Sequence, residues 1–343
     1  MGWSVARLAI VALCVHGCGV SHERLPRSEG IFQRADVSQD EADAVDLQTS
    51  RRNRPYIVAL SGGGPDGAFG AGYLSALESA GCLSPDIVTG VSIGALVGTL
   101  AFAYEREALR RLFAEGEAKR LVPSLSPIRA IFTGAVSSGE AYHTLVADFI
   151  TTDVIAQVAE EHRRGRRLFV ATTDFDAMRM RVWNMGLIAR IPGPDAEDLF
   201  RNVLLASASI PGIYPPVRLP ANPGSVRLHV DAGTTGQVFI PELPHGSIRP
   251  RLRIIFNNRI EGDPPLRLLS LLGTVQRGLS TLLRAQSRHQ IDLARARSKQ
   301  IGGTVEVAAI PAAEPVAKLQ DFSQKGMAET FALGDRMARS DGC

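Results

Sequence analysis

From Tyr56 onward the chain alternates short apolar runs with stretches of helical spacing, and glycine clusters punctuate the changes. Tyr56-Ile57-Val58-Ala59-Leu60 runs into Ser61-Gly62-Gly63-Gly64, as expected of a parallel strand buried on both faces. The pattern then becomes helical from Ala68 to Ala80, with Gly81 as the C-cap. Ile87-Val88-Thr89 is a second short strand, and Ile93 to Tyr104 reads as a buried helix rich in small residues. Strand, helix, strand and helix in such quick succession predict an α/β sheet with parallel strands. Further strands are expected at Leu168–Thr172, Arg181–Asn184, Val226–Val230 and Leu252–Phe256. Helices are expected at Glu105–Ala114, Asp153–Arg163 and Ala196–Ser207. A long helix is expected from Leu266 to about Gln300, with Gly273 and Gly278 as weak points. Its Leu268, Leu272, Val275, Leu279 and Leu282 recur at helical spacing and read as a core stripe, with Arg284, Arg288 and Arg295 on a solvated face.

The N-terminal region breaks this rhythm. Leu8 to Val15 is the longest apolar run, follows Arg7 and ends at His16-Gly17-Cys18, the layout of a secretory leader. It is far short of the ~20 residues that span a bilayer as a helix. Val15-His16-Gly17-Cys18 resembles a bacterial lipobox, in which Cys18 becomes the lipidated N-terminus; a plain leader and a secreted product is the alternative. Residues 19–54 are polar and charged without periodicity: Asp36, Asp40, Glu41, Asp43 and Asp46, then Arg51, Arg52 and Arg54. They read as a tether between membrane and domain. The expected organisation is a leader at 1–18, a tether at 19–54 and one folded domain at 55–343. After loss of Cys14 and lipidation of Cys18, Cys82 and Cys343 remain, either paired or free.

Composition narrows the function classes. The chain is 45% hydrophobic and carries a formal net charge of only +3, so no strong basic field points to nucleic acid. No zinc-finger spacing, RNP-like segment or Walker A loop occurs.

Three segments carry candidate chemistry. Ser61 to Gly67 joins a strand to a helix, where glycines let backbone N–H groups turn inward as a nest for negative charge. A phosphate or a developing oxyanion suits such a nest. Gly62, Gly64 and Gly67 satisfy the dinucleotide spacing G-x-G-x-x-G, but the acidic residue due at the end of the next strand is missing, Asp86 lying at its start. Gly90-Val91-Ser92-Ile93-Gly94 lies between strand and helix, the context of a nucleophile elbow, with Gly90 and Gly94 flanking a turn too tight for side chains. Asp231-Ala232-Gly233 follows a strand directly, at the carboxyl end where open α/β sheets hold their sites.

Glycine-rich loop, G-x-S-x-G and Asp231-Ala232-Gly233, in that order, resemble the patatin-like phospholipases. So does Ala206-Ser207-Ala208-Ser209-Ile210-Pro211-Gly212-Ile213-Tyr214-Pro215-Pro216, which looks like a family block preceding the aspartate. The resemblance covers about Tyr56 to Gly236. It implies a three-layer α/β/α sandwich with a mainly parallel central sheet, and acyl ester hydrolysis of membrane lipids by a Ser92–Asp231 dyad without a cofactor or metal. Gly62, Gly63 and Gly64 would form the oxyanion hole, with Gly67, Gly90, Gly94 and Gly233 as motif glycines. The chain departs from the family pattern at Asp66, where Arg or Lys is common, and at Ala232 in place of glycine. Asp66 reads as an N-cap for the helix that follows. Asp66 also motivates a rival, a tethered lipid-binding protein without catalysis; acyl transfer to an acceptor other than water is a third reading. A Ser–His–Asp triad would need His245 or His289, the only histidines after Asp231, and both read as surface residues.

Overall fold

The computed structural model describes residues 54–122, 135–221, 225–241, 249–261, 271–312 and 321–342. Cys18, the leader, His245 and Cys343 lie outside them, as does the tether up to residue 53. Cys82 is disulfide-bonded, to a partner that also lies outside the described residues.

The apolar runs form one eight-stranded sheet. Its strands are β1 (Tyr56–Leu60), β2 (Ile87–Gly90), β3 (Arg167–Asp174), β4 (Arg179–Asn184), β5 (Val217–Pro220), β6 (Val226–Val230), β7 (Arg251–Phe256) and β8 (Thr304–Ala309). Parallel pairings join β3, β2, β1, β7 and β8 in that order. Antiparallel pairings attach β4 and β6 to β3, and β5 to β6. The mainly parallel core and its antiparallel flank match the fold class expected from the sequence.

Alternation along the central strands sorts side chains into two apolar layers. Val58, Leu60, Val88, Leu168, Val170 and Ile255 join one core with α1 (Gly67–Ser79) and α2 (Ile93–Phe102). The same core includes α3 (Arg106–Leu109), α4 (Glu140–Phe149), α5 (Thr152–Arg163), α6 (Met185–Ala189) and α7 (Pro194–Ser207). Ile57, Ala59, Ile87, Leu252, Ile254 and Phe256 face the other way, against Val238 and against Ile291 and Ala294 of α8 (Leu271–Gln300). The result is helix, sheet, helix: three layers, with the sheet buried on both sides.

The helix ends follow local chemistry. Gly81 adopts φ +71° after α1, and Cys82 N–H donates back to the Leu77 carbonyl at 2.8 Å, closing the helix as expected. The expected helix Glu105–Ala114 is instead the short α3 running into a π-type turn, Arg110–Ala114. The expected leucine stripe on α8 is corrected at Leu282, the member whose side chain is described, which is 69% exposed. Among the α8 residues whose side chains are described, the buried ones are Ser287, Ile291, Ala294 and Ser298, a helical stripe nearly opposite Leu282.

The C-terminal helix α9 (Gln324–Asp341) was not expected from the pattern. It packs on α1 with its backbone almost touching. A Cβ on Gly72 would sit 1.9 Å from the Phe331 carbonyl oxygen, and one on Gly334 would sit 2.0 Å from that of Phe69. Tyr73 Oη donates to Asp341 Oδ2 at 2.8 Å and fastens the pair.

Candidate active site

The site arises where two strands meet head-on along one edge of β3. β4 fills one edge of β3 from Phe169 to Asp174. On the other edge β2 runs parallel and stops with Gly90 opposite Val170. β6 arrives antiparallel on that same edge, with His229 opposite Asp174 and Val230 opposite Thr173. The residues just past each strand end are therefore driven into one gap. Those residues are Val91-Ser92 and Asp231.

There Ser92 Oγ donates to Asp231 Oδ2 at 2.6 Å, although 139 positions separate the two. Both residues are buried. Ser92 holds φ 54°, ψ −129°, a strained conformation for a residue with a side chain. That is the strand-turn-helix elbow which lifts a serine out of its sheet. The motif glycines make the turn sterically feasible. A Cβ on Gly90 would lie 2.5 Å from Ala95 Cα, and one on Gly94 would lie 2.4 Å from the Ser61 carbonyl oxygen. Gly67 performs the same service at the start of α1, where a Cβ would come 2.6 Å from Ile93 Cγ1.

Asp231 is held on all sides. Its Oδ1 accepts the Gly233 N–H at 2.6 Å, its own N–H donates to the Ser209 carbonyl at 2.9 Å, and its carbonyl accepts from Thr173 Oγ1 at 3.0 Å. Ala232 leaves that turn intact, so its departure from glycine has no geometric consequence here. Burial pushes the Asp231 carboxyl up to about 6, against the hydrogen bonds from Ser92 and Gly233, which favour the charged form. A carboxylate near that value accepts a proton readily at neutral pH.

The glycine loop lies against the serine. A Cβ on Gly62 would be 3.1 Å from Ser92 Cβ and 3.8 Å from its Oγ. The N–H groups of Gly62, Gly63 and Gly64 donate to no acceptor among the described residues. Asn257, buried at the end of β7, clamps the loop: its Nδ2 donates to the Ser61 carbonyl at 2.8 Å and its Oδ1 accepts the Gly70 N–H at 2.9 Å. Its carbonyl oxygen would be 2.1 Å from a Cβ on Gly63, which excludes any side chain there. The dinucleotide reading of the loop loses its last support: Asp86 Oδ2 accepts the Tyr56 N–H, at the far end of β1.

One expectation is corrected. Asp66 occupies the N-cap position of α1 and is buried, but its side chain makes no capping hydrogen bond. It has helical backbone angles, φ −69° and ψ −7°, because a 3-10 turn, Gly64–Asp66, feeds directly into α1. An N-cap carboxylate reaches the first-turn N–H groups from a non-helical backbone.

The block from Ala206 to Pro216 has a role that its sequence does not announce. It straddles the Ser92–Asp231 pair. Ser207 Oγ accepts the Ser92 N–H at 3.0 Å, and the Ser209 carbonyl accepts the Asp231 N–H. Ser207 therefore stabilises the strained elbow. Ser207→Ala leaves a buried N–H unpaired, at a cost of about 1–3 kcal/mol. We expect kcat to fall about 10- to 100-fold with KM little changed, and the pH midpoint to stay with Asp231; steady-state kinetics on one ester checks it.

The histidines stand apart. His229 is buried, pairs Nδ1 with Thr172 Oγ1 at 2.9 Å, and is pushed down to about 4 by burial. His289 is exposed on α8. Among the described residues no histidine hydrogen-bonds to Ser92 or Asp231, and no cluster of His, Cys, Asp and Glu could hold a metal ion. No described helix is long and apolar enough to cross a membrane. A cavity of about 470 Å³ lies elsewhere, between α8 and the starts of β1 and β7, and none of the site residues lines it.

Comparison with known proteins points the same way as the motifs. Residues 58–243, more than half of the chain, match the family model described as patatin-like phospholipase. Patatin-like phospholipase domain-containing protein 6 of mouse is 31% identical over 156 residues, 40% of this chain and 11% of that protein. A patatin-like phospholipase domain-containing protein of Cryptococcus neoformans is 23% identical over 241 residues, 68% of this chain and 27% of that protein. The chain thus spans well under a third of the length of these relatives. Among solved structures, VipD from Legionella pneumophila is similar at TM-score 0.37 and 11% identity, over 83% of this chain and 67% of that one. Human GIVD cytosolic phospholipase A2 is similar at TM-score 0.35 and 14% identity, over 76% of this chain and 53% of that one. With its glycine loop, serine elbow and aspartate turn gathered at one end of the sheet, and its sequence matched over most of that region, this chain belongs to the patatin-like phospholipase family.

Proposed function

We propose that this protein is a lipid acyl hydrolase that cleaves carboxylic esters through an acyl-enzyme, with Ser92 as nucleophile and Asp231 as base. The observation that carries the reading is the 2.6 Å hydrogen bond from Ser92 Oγ to Asp231 Oδ2, made on a strained elbow beside unpaired backbone N–H groups. Asp231 takes the hydroxyl proton as Ser92 Oγ attacks the acyl carbonyl. The N–H groups of Gly62, Gly63 and Gly64 are the donors for the resulting oxyanion. The intermediate collapses, the ester C–O bond breaks, and the departing alkoxide takes the proton from Asp231. Water then attacks the acyl-enzyme, passes a proton to Asp231, and releases the fatty acid as that proton returns to Ser92.

Family membership supports a lipid ester as substrate. The lipobox-like Val15-His16-Gly17-Cys18 supports a lipid-anchored protein of the bacterial cell envelope that acts on membrane lipids. The test is product analysis with a defined phospholipid and a series of simple esters. Fatty acid release is the expected outcome. Acyl transfer to an added alcohol in preference to water would identify a transferase. Binding without turnover would support the lipid-binding rival.

A further inference from the structure

We propose that the turn between β3 and β4, Phe175-Asp176-Ala177-Met178, is a docking point that seats the protein on an anionic lipid surface. Two exposed apolar side chains crown it: Phe175 at 46% and Met178 at 83% of full exposure. Met178 adopts φ +53°, a backbone conformation for which glycine or asparagine is the ordinary choice. A long apolar residue is thus held outward at a strained position, where it gains nothing from the core.

The turn is also rigid. Asp174 Oδ1 accepts the Ala177 N–H at 2.9 Å, Asp176 Oδ2 accepts the Leu228 N–H at 2.9 Å, and Phe175 N–H donates to the Leu228 carbonyl at 2.8 Å. The apolar tip is therefore presented in one shape, with little ordering cost on binding.

Charge decides the partner. Register places Arg179 opposite Asp174 and Arg181 opposite Thr172, while Arg227 Nη1 contacts Asp174 Oδ2 at 2.9 Å. Arg218 lies on β5 opposite Leu228. Arg179, Arg181 and Arg227 share the sheet face of Asp174, with Arg181 laid over the Trp183 ring, and Arg218 lies on the opposite face; the two carboxylates, Asp174 and Asp176, are both tied into the turn. An exposed apolar tip with arginines outnumbering carboxylates on the strands behind it fits a surface with hydrocarbon beneath and negative headgroups above.

Position adds to the case. Thr173, which holds the Asp231 carbonyl, is two residues from Phe175. Ile210, 41% exposed, follows Ser209, which holds the Asp231 N–H. The docking point and the dyad therefore share one end of the sheet. Docking does not require turnover, so it is testable without it.

The experiment uses the full chain carrying Ser92→Ala and Phe175→Trp, titrated with vesicles of phosphatidylcholine alone or with a third phosphatidylglycerol. Expected is a blue shift of the new tryptophan's emission on the anionic vesicles, weakened at least tenfold in apparent affinity by Met178→Asp and by raising salt from 50 to 500 mM. An unchanged melting temperature in Met178→Asp guards against misfolding. No shift on either vesicle overturns the proposal and favours an acidic protein surface as the partner. A shift of equal size on both vesicles overturns its anionic character. Neither result bears on ester hydrolysis by the wild type.

Discussion

Replacing Ser92 by alanine should reduce ester turnover by at least about 10⁴-fold while leaving the fold intact. The size follows from the chemistry: without Oγ no acyl-enzyme forms, and the glycine loop alone can only polarise a carbonyl toward water. The substitution removes an oxygen whose hydrogen-bonding partner is Asp231 Oδ2, so a buried carboxylate loses one of two donors. Its pKa should rise further, and the alanine protein should be slightly less stable at pH 8 than at pH 5, relative to the wild type. Turnover on a soluble ester, with circular dichroism on the same samples, checks both parts.

Asp231→Asn should act in the opposite sense on stability and nearly as severely on rate. Turnover should fall about 10²–10⁴-fold, because no group remains to accept the serine proton. Stability, however, should rise. The carboxyl is pushed from 3.8 up to about 6 by burial. A folded pKa above the unfolded one means that the fold favours the protonated acid. That contribution is fully present below pH 3.8 and is lost as pH rises through about 6. Above pH 6 the ionised group costs on the order of 3 kcal/mol relative to a neutral one. Asparagine preserves an acceptor for Gly233 N–H and removes the charge. Its melting temperature should therefore match the wild type near pH 4 and exceed it by several degrees at pH 7 to 8. On the proposed mechanism the same titration should set the wild-type rate, which should climb with pH through a midpoint near 6, as the carboxylate becomes available. A rate falling over that interval would contradict Asp231 as base.

The parts legible in the sequence were those encoded by local pattern. Tyr56–Leu60, the glycine loop and α1 announce themselves because a buried strand, a nest and a helix each impose their own spacing within a few residues. Ser92 is marked locally, by Gly90 and Gly94 between a strand and a helix, whereas Asp231, just past a strand, gains meaning only from the company of the glycine loop and the serine turn. What could not be read was contact between distant segments made by ordinary residues. Ser207 Oγ meets the Ser92 N–H across 115 positions, and nothing around Ser207 marks it as a partner of the elbow. Asn257 and Thr173 hold the loop and the aspartate in the same unannounced way.

Of the elements that the pattern did not predict, β5, β8, α4, α6 and α9, two show their reason in composition. β8 reads Thr-Val-Glu-Val-Ala-Ala, with polar Thr304 and Glu306 because it lies at the end of the sheet, and Glu306 is turned to Arg253. α9 buries Gly326, Met327, Thr330, Leu333, Gly334 and Ala338, a stripe so poor in large apolar side chains that its periodicity is faint. Those small residues are there because α1 approaches so closely. The errors at Leu282 and Asp66 are of one kind: spacing tells which residues share a helix face, and not which face turns inward or where a side chain points.

The central claim, that Asp231 activates Ser92, is tested most directly by the rate of covalent labelling with a fluorophosphonate, mapped by mass spectrometry and followed from pH 4 to 9. The predicted result is modification at Ser92 in the wild type, with a rate that rises through a midpoint near 6 and drops at least about 100-fold in Asp231→Asn. Labelling of Asp231→Asn at the wild-type rate, or modification of a different serine, would contradict it.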